Sequence, residues 1–387
     1  MKQGFEVFWR FLLLGFVSFG GPAAHIGYFR NAFVEKRQWL TEEAFARLLA
    51  LSQFLPGPGS SQLGFAIGLE RAGLAGGIAA FLGFTLPSFL LMYFIAVINV
   101  DEHTQGELGA TVRAVLQGLK LLAVVVVADA ALSMFKTFCT TRLAVAIALA
   151  TAIALLMAPT LWMQMAVLIT AALVGCFWGK PAPQPATPSS GFKLLPLSLF
   201  AALFIGLPIA ATQFTQIQFF ADFYQAGSLV FGGGHVVLPL LQQTVGSAIS
   251  PDQFLTGYAA AQAVPGPMFT FATFLGAELA VLSSLSPIQG ALLATLAIFL
   301  PGFLLVLSLQ GAWQNLASKP KIAGAAWGIN AAVVGLLIAA LYNPVFISAV
   351  FSPKDMAMVL AGLFALRVMR VPIVYLVVGF GVVRIWL

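Results

Sequence analysis

Gln53-Phe54-Leu55-Pro56-Gly57-Pro58 recurs 209 residues later as Gln262-Ala263-Val264-Pro265-Gly266-Pro267. Each copy interrupts an apolar run. Proline removes a backbone donor and clashes with the preceding turn, and glycine costs about 1 kcal/mol in a helix interior. Two prolines flanking a glycine therefore end one half-helix and start another. Three further elements repeat around this one in the same order. Phe19-Gly20-Gly21-Pro22 with His25 matches Phe231-Gly232-Gly233-Gly234 with His235 at an offset of 212. Leu86-Pro87-Ser88-Phe89 matches Leu300-Pro301-Gly302-Phe303 at 214, and Gln117-Gly118-Leu119-Lys120 matches Trp327-Gly328-Ile329-Asn330 at 210. Four matches in register make the chain two copies of one unit.

The solvent of that unit follows from composition. Of 387 residues, 60% are hydrophobic and 8% charged, against roughly 25% charged in an ordinary soluble domain. So few charges cannot cover a water-exposed surface of this size. Disordered chains, collagen-like chains and nearly all soluble enzymes are excluded. The apolar runs are continuous rather than alternating, which points to helices and not to a β-barrel. The fold class expected is an all-α polytopic membrane protein. The net charge of +6 reads as basic cytoplasmic loops rather than nucleic-acid binding. Cys139 and Cys176 have no metal-ligand spacing, and three histidines do not make a His-rich metal site. No cofactor is expected. The apolar run Phe11–Phe19 after Arg10 could pass for a signal peptide, but its element recurs in mid-chain, where a cleaved leader has no place.

The segment 180–191 holds four prolines among small polar residues and reads as a linker. It separates a membrane repeat over 1–179 from a second over 192–387. The second repeat begins with an extra apolar stretch, Leu194–Ala211, which has no counterpart in the first. An added single span would invert the second copy. Basic residues agree. Arg30, Lys36, Arg37 and Arg47 follow the first Phe-Gly-Gly element, and the matching stretch 240–258 has no Lys or Arg. Conversely, 99–109 carries Asp101, Glu102 and Glu107, and 315–322 carries Lys319 and Lys321. Each loop changes sides between copies under the positive-inside rule. The expectation is two inverted repeats, a common transporter plan.

Loop parity then requires that one apolar segment of each pair dips in and returns. The interrupted segments are 6–30, 44–70, 218–241 and 253–282. Full spans are expected at 73–98, 109–135, 142–158, 161–179, 194–211, 287–313, 322–343, 354–369 and 371–387. Lys354 and Arg384 are exceptions to the charge rule. The simpler alternative is that the interrupted helices cross.

Irregular backbone at membrane depth is tolerated where it lines a polar cavity or is buried in protein. A half-helix starting there aims free N–H groups and its dipole at the cavity, worth roughly 0.3–1 kcal/mol to an anion at each terminus. Gly20, Gly21, Gly57, Gly59, Gly232, Gly233, Gly234 and Gly266 let an anion approach the backbone. His25, His235, Gln53 and Gln262 could donate to an oxyanion, and Ser60, Ser61, Thr270 and Thr273 follow the turns. The competing reading is that Gly and Pro only kink helices, and that the polar side chains satisfy backbone groups freed by proline. Lys120 and Asp129 lie inside the apolar run 114–135, about two and a half turns apart and too far for a direct pair. Lys120 is the candidate substrate contact. Arg113 can snorkel to the interface. Glu278 lies eleven residues beyond the second Pro-Gly-Pro. Glu70-Arg71 reads as a pair at a hairpin end.

Assembled, these motifs resemble the chromate ion transporter (CHR) family in its long two-domain form. The carrying residues are Ser18 to Pro22 with His25, Gln53 to Pro58, Gly73-Leu74-Ala75-Gly76-Gly77, Pro87, Phe231 to His235, and Gln262 to Pro267. What the resemblance implies is export of chromate across the bacterial inner membrane, chromate resistance, and two homologous halves of opposite orientation. The copies differ: Gly234 stands for Pro22 and Asn330 for Lys120, so the halves contribute unequally. Chromate, the lipid bilayer and, by shape and charge, sulfate are the partners expected; a homodimer is left open, and nucleic acid is not expected. Two other classes were weighed. An intramembrane enzyme lacks a nucleophile–base or metal constellation here. A scaffold or sensor is disfavoured because no sizeable soluble domain is present. The alternative transporter is a proton- or sodium-coupled sulfate or oxyanion importer.

Overall fold

The computed structural model describes residues 2–99, 107–179, 191–213, 215–231 and 236–386. The acidic residues Asp101 and Glu102, nearly all of the linker, and Gly232, Gly233, Gly234 and His235 lie outside the described residues. No strand occurs among the described residues. Hydrocarbon offers no partner to a backbone N–H, so each apolar run satisfies its own by coiling. Polar side chains close the ends. Thr141 caps Arg142–Met157 by accepting from the Ala144 amide, and Thr160 caps Leu161–Trp178 through Met163. Ser286 and Gln289 form a reciprocal capping box at Pro287–Leu309.

In the first half the helices are α1 (Lys2–Val17), α2 (Gly21–Arg30), α3 (Glu42–Phe54), α4 (Gly59–Asn99), α5 (Glu107–Phe138), α6 (Arg142–Met157) and α7 (Leu161–Trp178). Then come α8 (Leu194–Ala211), α9 (Thr215–Leu229), α10 (Val237–Thr244), α11 (Pro251–Ala263), α12 (Phe271–Leu279), α13 (Pro287–Leu309), α14 (Trp313–Ala317), α15 (Pro320–Ala340), α16 (Pro353–Arg367) and α17 (Ile373–Trp386). All four expected interruptions occur, between α1 and α2, α3 and α4, α9 and α10, and α11 and α12. Among the described residues, five helices are long and apolar enough to cross a membrane, as a polytopic membrane protein requires.

One of those five, the run Gly59–Ile98, is two helices. Ala72 (φ −146°) and Gly73 (φ +61°) leave helical geometry. A Cβ on Gly68 would overlap the carbonyl oxygen of Gly76, and the reverse also holds. Eight residues span about 12 Å of a straight helix, so the chain turns back on itself at 72–73. The second half repeats the device with Gly276 against Gly290. The backbones touch where neither residue has a side chain, the close packing by which helices associate in lipid.

The halves are interlocked. α6 and α7 of the first half pack on α15 of the second, and α16 and α17 pack on α5. Glycines again set the approach. Gly328 lies against the Ala171 carbonyl, Gly335 against Ala148, and their counterpart Gly118 against Phe380. The outer surface is apolar at helical spacing. Leu149 and Ile153 on α6, Ile169 and Leu173 on α7, and Leu292 and Leu296 on α13 are all exposed. α8 is a peripheral element that lays one half-buried face on α9 and α13; Ala211 alone in it is fully buried.

The ionisable residues pair across elements. Asp355, fully buried, holds Arg384 at 2.8 Å, and Arg367 lies 3.7 Å from Asp129. Glu70 and Arg71 do not form the pair expected from their adjacency. Glu70 faces Arg47 at 3.7 Å, and Arg71 faces Glu6 at 3.5 Å. Successive helical residues point about 100° apart, so neighbours in sequence serve different partners.

Gly68→Leu should wedge the 59–98 hairpin open and lower stability by about 1–3 kcal/mol, the usual cost of overpacking. Gly27→Ala, with nothing within 4 Å of the new methyl, should leave the melting temperature in detergent unchanged or slightly raised. Equal effects would contradict the reversal at 72–73.

Candidate functional site

The two Pro-Gly-Pro turns put their glycines in conformations other residues rarely adopt, φ +124° at Gly57 and +105° at Gly266. Each glycine N–H is used across the duplication. Gly57 donates to the Val230 carbonyl at 2.7 Å, and Gly266 donates to the Ser18 carbonyl at 2.9 Å. Ser18 and Val230 are themselves counterparts, each just before a Phe-Gly element. The interruption of α3–α4 therefore docks on the end of α9, and that of α11–α12 docks on the end of α1. A third segment closes each crossing. A Cβ on Gly57 would lie 3.1 Å from Gly302 Cα, and a Cβ on Gly266 would lie 2.8 Å from Ser88 Oγ. Gly302 and Ser88 are counterparts too, each following the proline of a long helix.

Side chains gather at both crossings. His25 is fully buried, and its Nε2 lies 3.1 Å from the same Ser18 carbonyl that Gly266 uses. Gly20 (φ +97°) and Gly21 (φ +71°) make the turn that brings α2 and His25 back to it. Gln62 was not among the residues singled out by sequence. Its Nε2 donates to the Pro56 carbonyl at 2.9 Å and to the Gly302 carbonyl at 3.2 Å. An amide inside the apolar half-helix 59–71 was the available signal. Gln53, by contrast, is exposed. Gln262 is buried, with its Nε2 3.5 Å from Met268 Sδ. Thr270 donates to the Pro267 carbonyl at 2.8 Å, and Thr273 bonds Thr295 at 2.8 Å. Those threonines satisfy backbone and one another. Ser18 Oγ, His25 Nδ1, Ser61 Oγ, Gln62 Oε1 and Thr85 Oγ1 are buried with no hydrogen-bond partner. Gly59 starts α4, and a Cβ there would lie 3.1 Å from the Ser52 carbonyl oxygen. Residues seven apart on a straight helix lie about 10 Å apart, so the chain bends sharply between them.

Lys120 is buried, and its ammonium is paired with Asp252 at the start of α11. The carboxylate is largely exposed, at 72%. Its sequence separation of 132 residues hid this partner. Lys120 and Asp129 share α5 without pairing, as expected. The counterpart of Lys120, Asn330, has a different setting. It lines a cavity of about 230 Å³ with Phe54, Pro56, Phe231 and Lys321. Most of the wall is α15, Lys321 included, and Pro56 and Phe231 bring it up to the Gly57–Val230 crossing. A larger cleft of about 740 Å³ lies against Arg47, Glu70, Lys193 and Gln310; none of the glycines singled out at the interruptions lines it. Arg113 is exposed. Among the described residues, no group of three or more His, Cys, Asp or Glu side chains is placed to hold a metal ion.

Gly266→Ala should destabilise the protein both by its positive φ and by contact with Ser88, about 1–3 kcal/mol together. Adding Ser88→Gly should restore the part due to contact. Thermal denaturation of both variants in detergent checks this; no recovery in the double variant would contradict the packing at this crossing.

Comparison with known proteins places this arrangement. A family model described as Chromate transporter matches residues 5–176 and 217–385. The chain is 29% identical over 338 residues to a chromate transport protein of Pseudomonas aeruginosa, covering 86% of this chain and 79% of that one. It is 30% identical over 365 residues to a probable chromate transport protein of Synechococcus elongatus, covering 92% and 87%. A chromate transport protein of Cupriavidus metallidurans is 27% identical over 344 residues, covering 86% and 80%. No solved structure matches the chain significantly.

Proposed function

The chain belongs to the chromate transporter family, and on that premise we propose that it exports chromate across the bacterial inner membrane and so confers resistance to it. The observation that carries the reading is the reciprocal crossing of the interrupted helices. Gly57 meets Val230, Gly266 meets Ser18, and the two contacts are counterparts. Two halves that hold each other at matched interruptions can rock about that contact, the motion by which repeat-built carriers expose one site to either side. The proposal includes the opposite orientation of the halves in the bilayer and the return of the interrupted segments to their own side. It includes no catalytic chemistry.

The direction rests on charge. Each elementary charge is worth about 2.3 kcal/mol per 100 mV. An inside-negative potential therefore drives a divalent anion outward with about 4.6 kcal/mol at 100 mV, near three decades of gradient. Recognition rests on hydroxyl donors at the crossing, since the Gly57 and Gly266 N–H groups are taken by carbonyls; Lys120, at the far end of α11, is a contact on the path to it. Such a set reads charge and tetrahedral shape, so sulfate should compete. Lys120 is held by a single exposed carboxylate, a partner that an arriving anion can displace.

Chromate flux in everted vesicles tests this, with the potential set by ionophores and sulfate titrated in. Inward flux driven by the potential and inhibited by sulfate is expected. Absence of chromate flux, with proton-dependent sulfate uptake in right-side-out vesicles, would replace export by import. Lys120→Met should cut flux roughly 10-fold to 100-fold, the worth of a hydrogen bond to a charged group. Arg113→Met, at an exposed position, should cut it little. Full activity in both variants would remove Lys120 from the path.

A further inference from the structure

The two crossings are not chemically equal. At the Ser18–Gly266 crossing, Ser88 Oγ and the Phe84 carbonyl are the nearest groups to Gly266, at 2.8 and 3.4 Å from a Cβ position. Thr85 follows Phe84, and its carbonyl accepts from Ser88 at 3.0 Å. The imidazole of His25 meets the Phe84 ring edge-on at 5.1 Å. Ser18, His25, Thr85 and Ser88 are all buried. At the other crossing the counterparts of Ser18, Thr85 and Ser88 are Val230, Phe299 and Gly302. At these three positions the hydroxyls stand on one side of the duplication only, although Ser60 and Ser61 follow the Gly57 turn on the other.

Hydrogen-bond accounting gives those groups a chemical character. A carbonyl oxygen only accepts, so the His25 nitrogen facing the Ser18 carbonyl carries hydrogen. In the neutral ring Nδ1 is then a bare acceptor, and no donor reaches it. The Ser18 and Thr85 hydroxyls are also without partners. In helices such hydroxyls ordinarily turn back onto a carbonyl of the preceding turn, as Ser88 does. Buried polar groups left unpaired are costly, and three at one crossing point to a ligand. Two hydroxyl donors and one nitrogen acceptor suit a tetrahedral oxyanion that bears one O–H. A dianion bound beside an imidazolium is the same complex, with the proton moved from oxygen to nitrogen.

We propose that the oxyanion binds at the Ser18–Gly266 crossing with one proton, shared between an anion oxygen and His25 Nδ1. The inference rests on the transport reading and revises its stoichiometry: one proton travels with each anion, and one net negative charge moves instead of two, which keeps the outward direction and halves the electrical drive. No bond to the central atom forms or breaks. Most charges near His25 are engaged elsewhere or exposed; Arg10 on α1 keeps its Nε buried without a partner. α2 is packed on by α4 and by residues 31–36, with Phe11 of α1 meeting Phe29 edge-on at 5.5 Å. On these elements Glu35 pairs with Arg30, Glu70 with Arg47 and Arg71 with Glu6, while Lys36 is exposed and Arg10 is part-exposed. None of them bonds the imidazole.

The test is the charge carried per chromate in proteoliposomes, read from the reversal potential together with radiolabelled chromate flux. The wild-type protein should move about one charge per chromate, and a pH gradient alone should drive chromate. His25→Gln can keep the bond to the Ser18 carbonyl but cannot take the proton; any residual flux should carry about two charges and lose its response to the pH gradient. Thr85→Val should raise the KM for chromate severalfold, and Thr85→Ser should restore it, which separates a ligand contact from a folding defect. Two charges per chromate in the wild type, or a Thr85→Val variant with unchanged KM, would overturn the inference and leave transport standing. A wild-type protein that moves no oxyanion would overturn both.

Discussion

A helix interrupted inside a bilayer leaves backbone groups that lipid cannot satisfy. This chain has four such interruptions, and the other half of the molecule meets that need in two described cases. Gly57 spends its N–H on Val230, and Gly266 spends its N–H on Ser18. Neither half can keep its turn without the other. The exchange of α6 and α7 onto α15, and of α16 and α17 onto α5, extends the same dependence to the periphery. Glycine is the material throughout. Gly68 with Gly76, Gly276 with Gly290, and Gly118, Gly328 and Gly335 against opposing carbonyls let backbones touch where packing alone holds helices together.

Duplication supplies symmetry, and substitution then breaks it. Lys120 became one member of an ion pair with Asp252, while Asn330 borders a cavity with Pro56 and Phe231. Ser18 and Ser88 touch Gly266, with Thr85 next to Phe84 on the same helix, and Val230, Phe299 and Gly302 occupy the equivalent places. A carrier with one seat needs one crossing equipped for the ion and one that serves as the opposing wall. The division of polar groups follows that pattern.

Much of this was written locally in the chain. Helix ends and interruptions follow from Gly, Pro and capping residues within a few positions. α8 falls at the expected 194–211, three of the breaks fall where Pro or Gly clusters stand, and α9 ends at Leu229, shortly before the glycines that lie outside the described residues. Sequence could not show which polar residues face inward. A membrane helix is apolar on every side, so no periodicity separates its protein face from its lipid face. Gln53 and Gln62 looked alike in that respect; the first is exposed and the second bridges Pro56 and Gly302. Asp252 for Lys120 and Glu6 for Arg71 are long-range pairings, and adjacency suggested the wrong partner for Arg71. The glycines 232–234 and His235 lie outside the described residues.

The central claim is that the anion sits where the interrupted helices of the two halves cross. Crystals of the protein grown with chromate, measured at the chromium absorption edge, test it most directly. A single strong anomalous peak is expected between α1, α4 and the Gly266 turn, within hydrogen-bonding distance of Ser18 or Thr85. A reproducible peak confined to the basic surface near Arg47 and Lys193, with none at either crossing, would contradict the account.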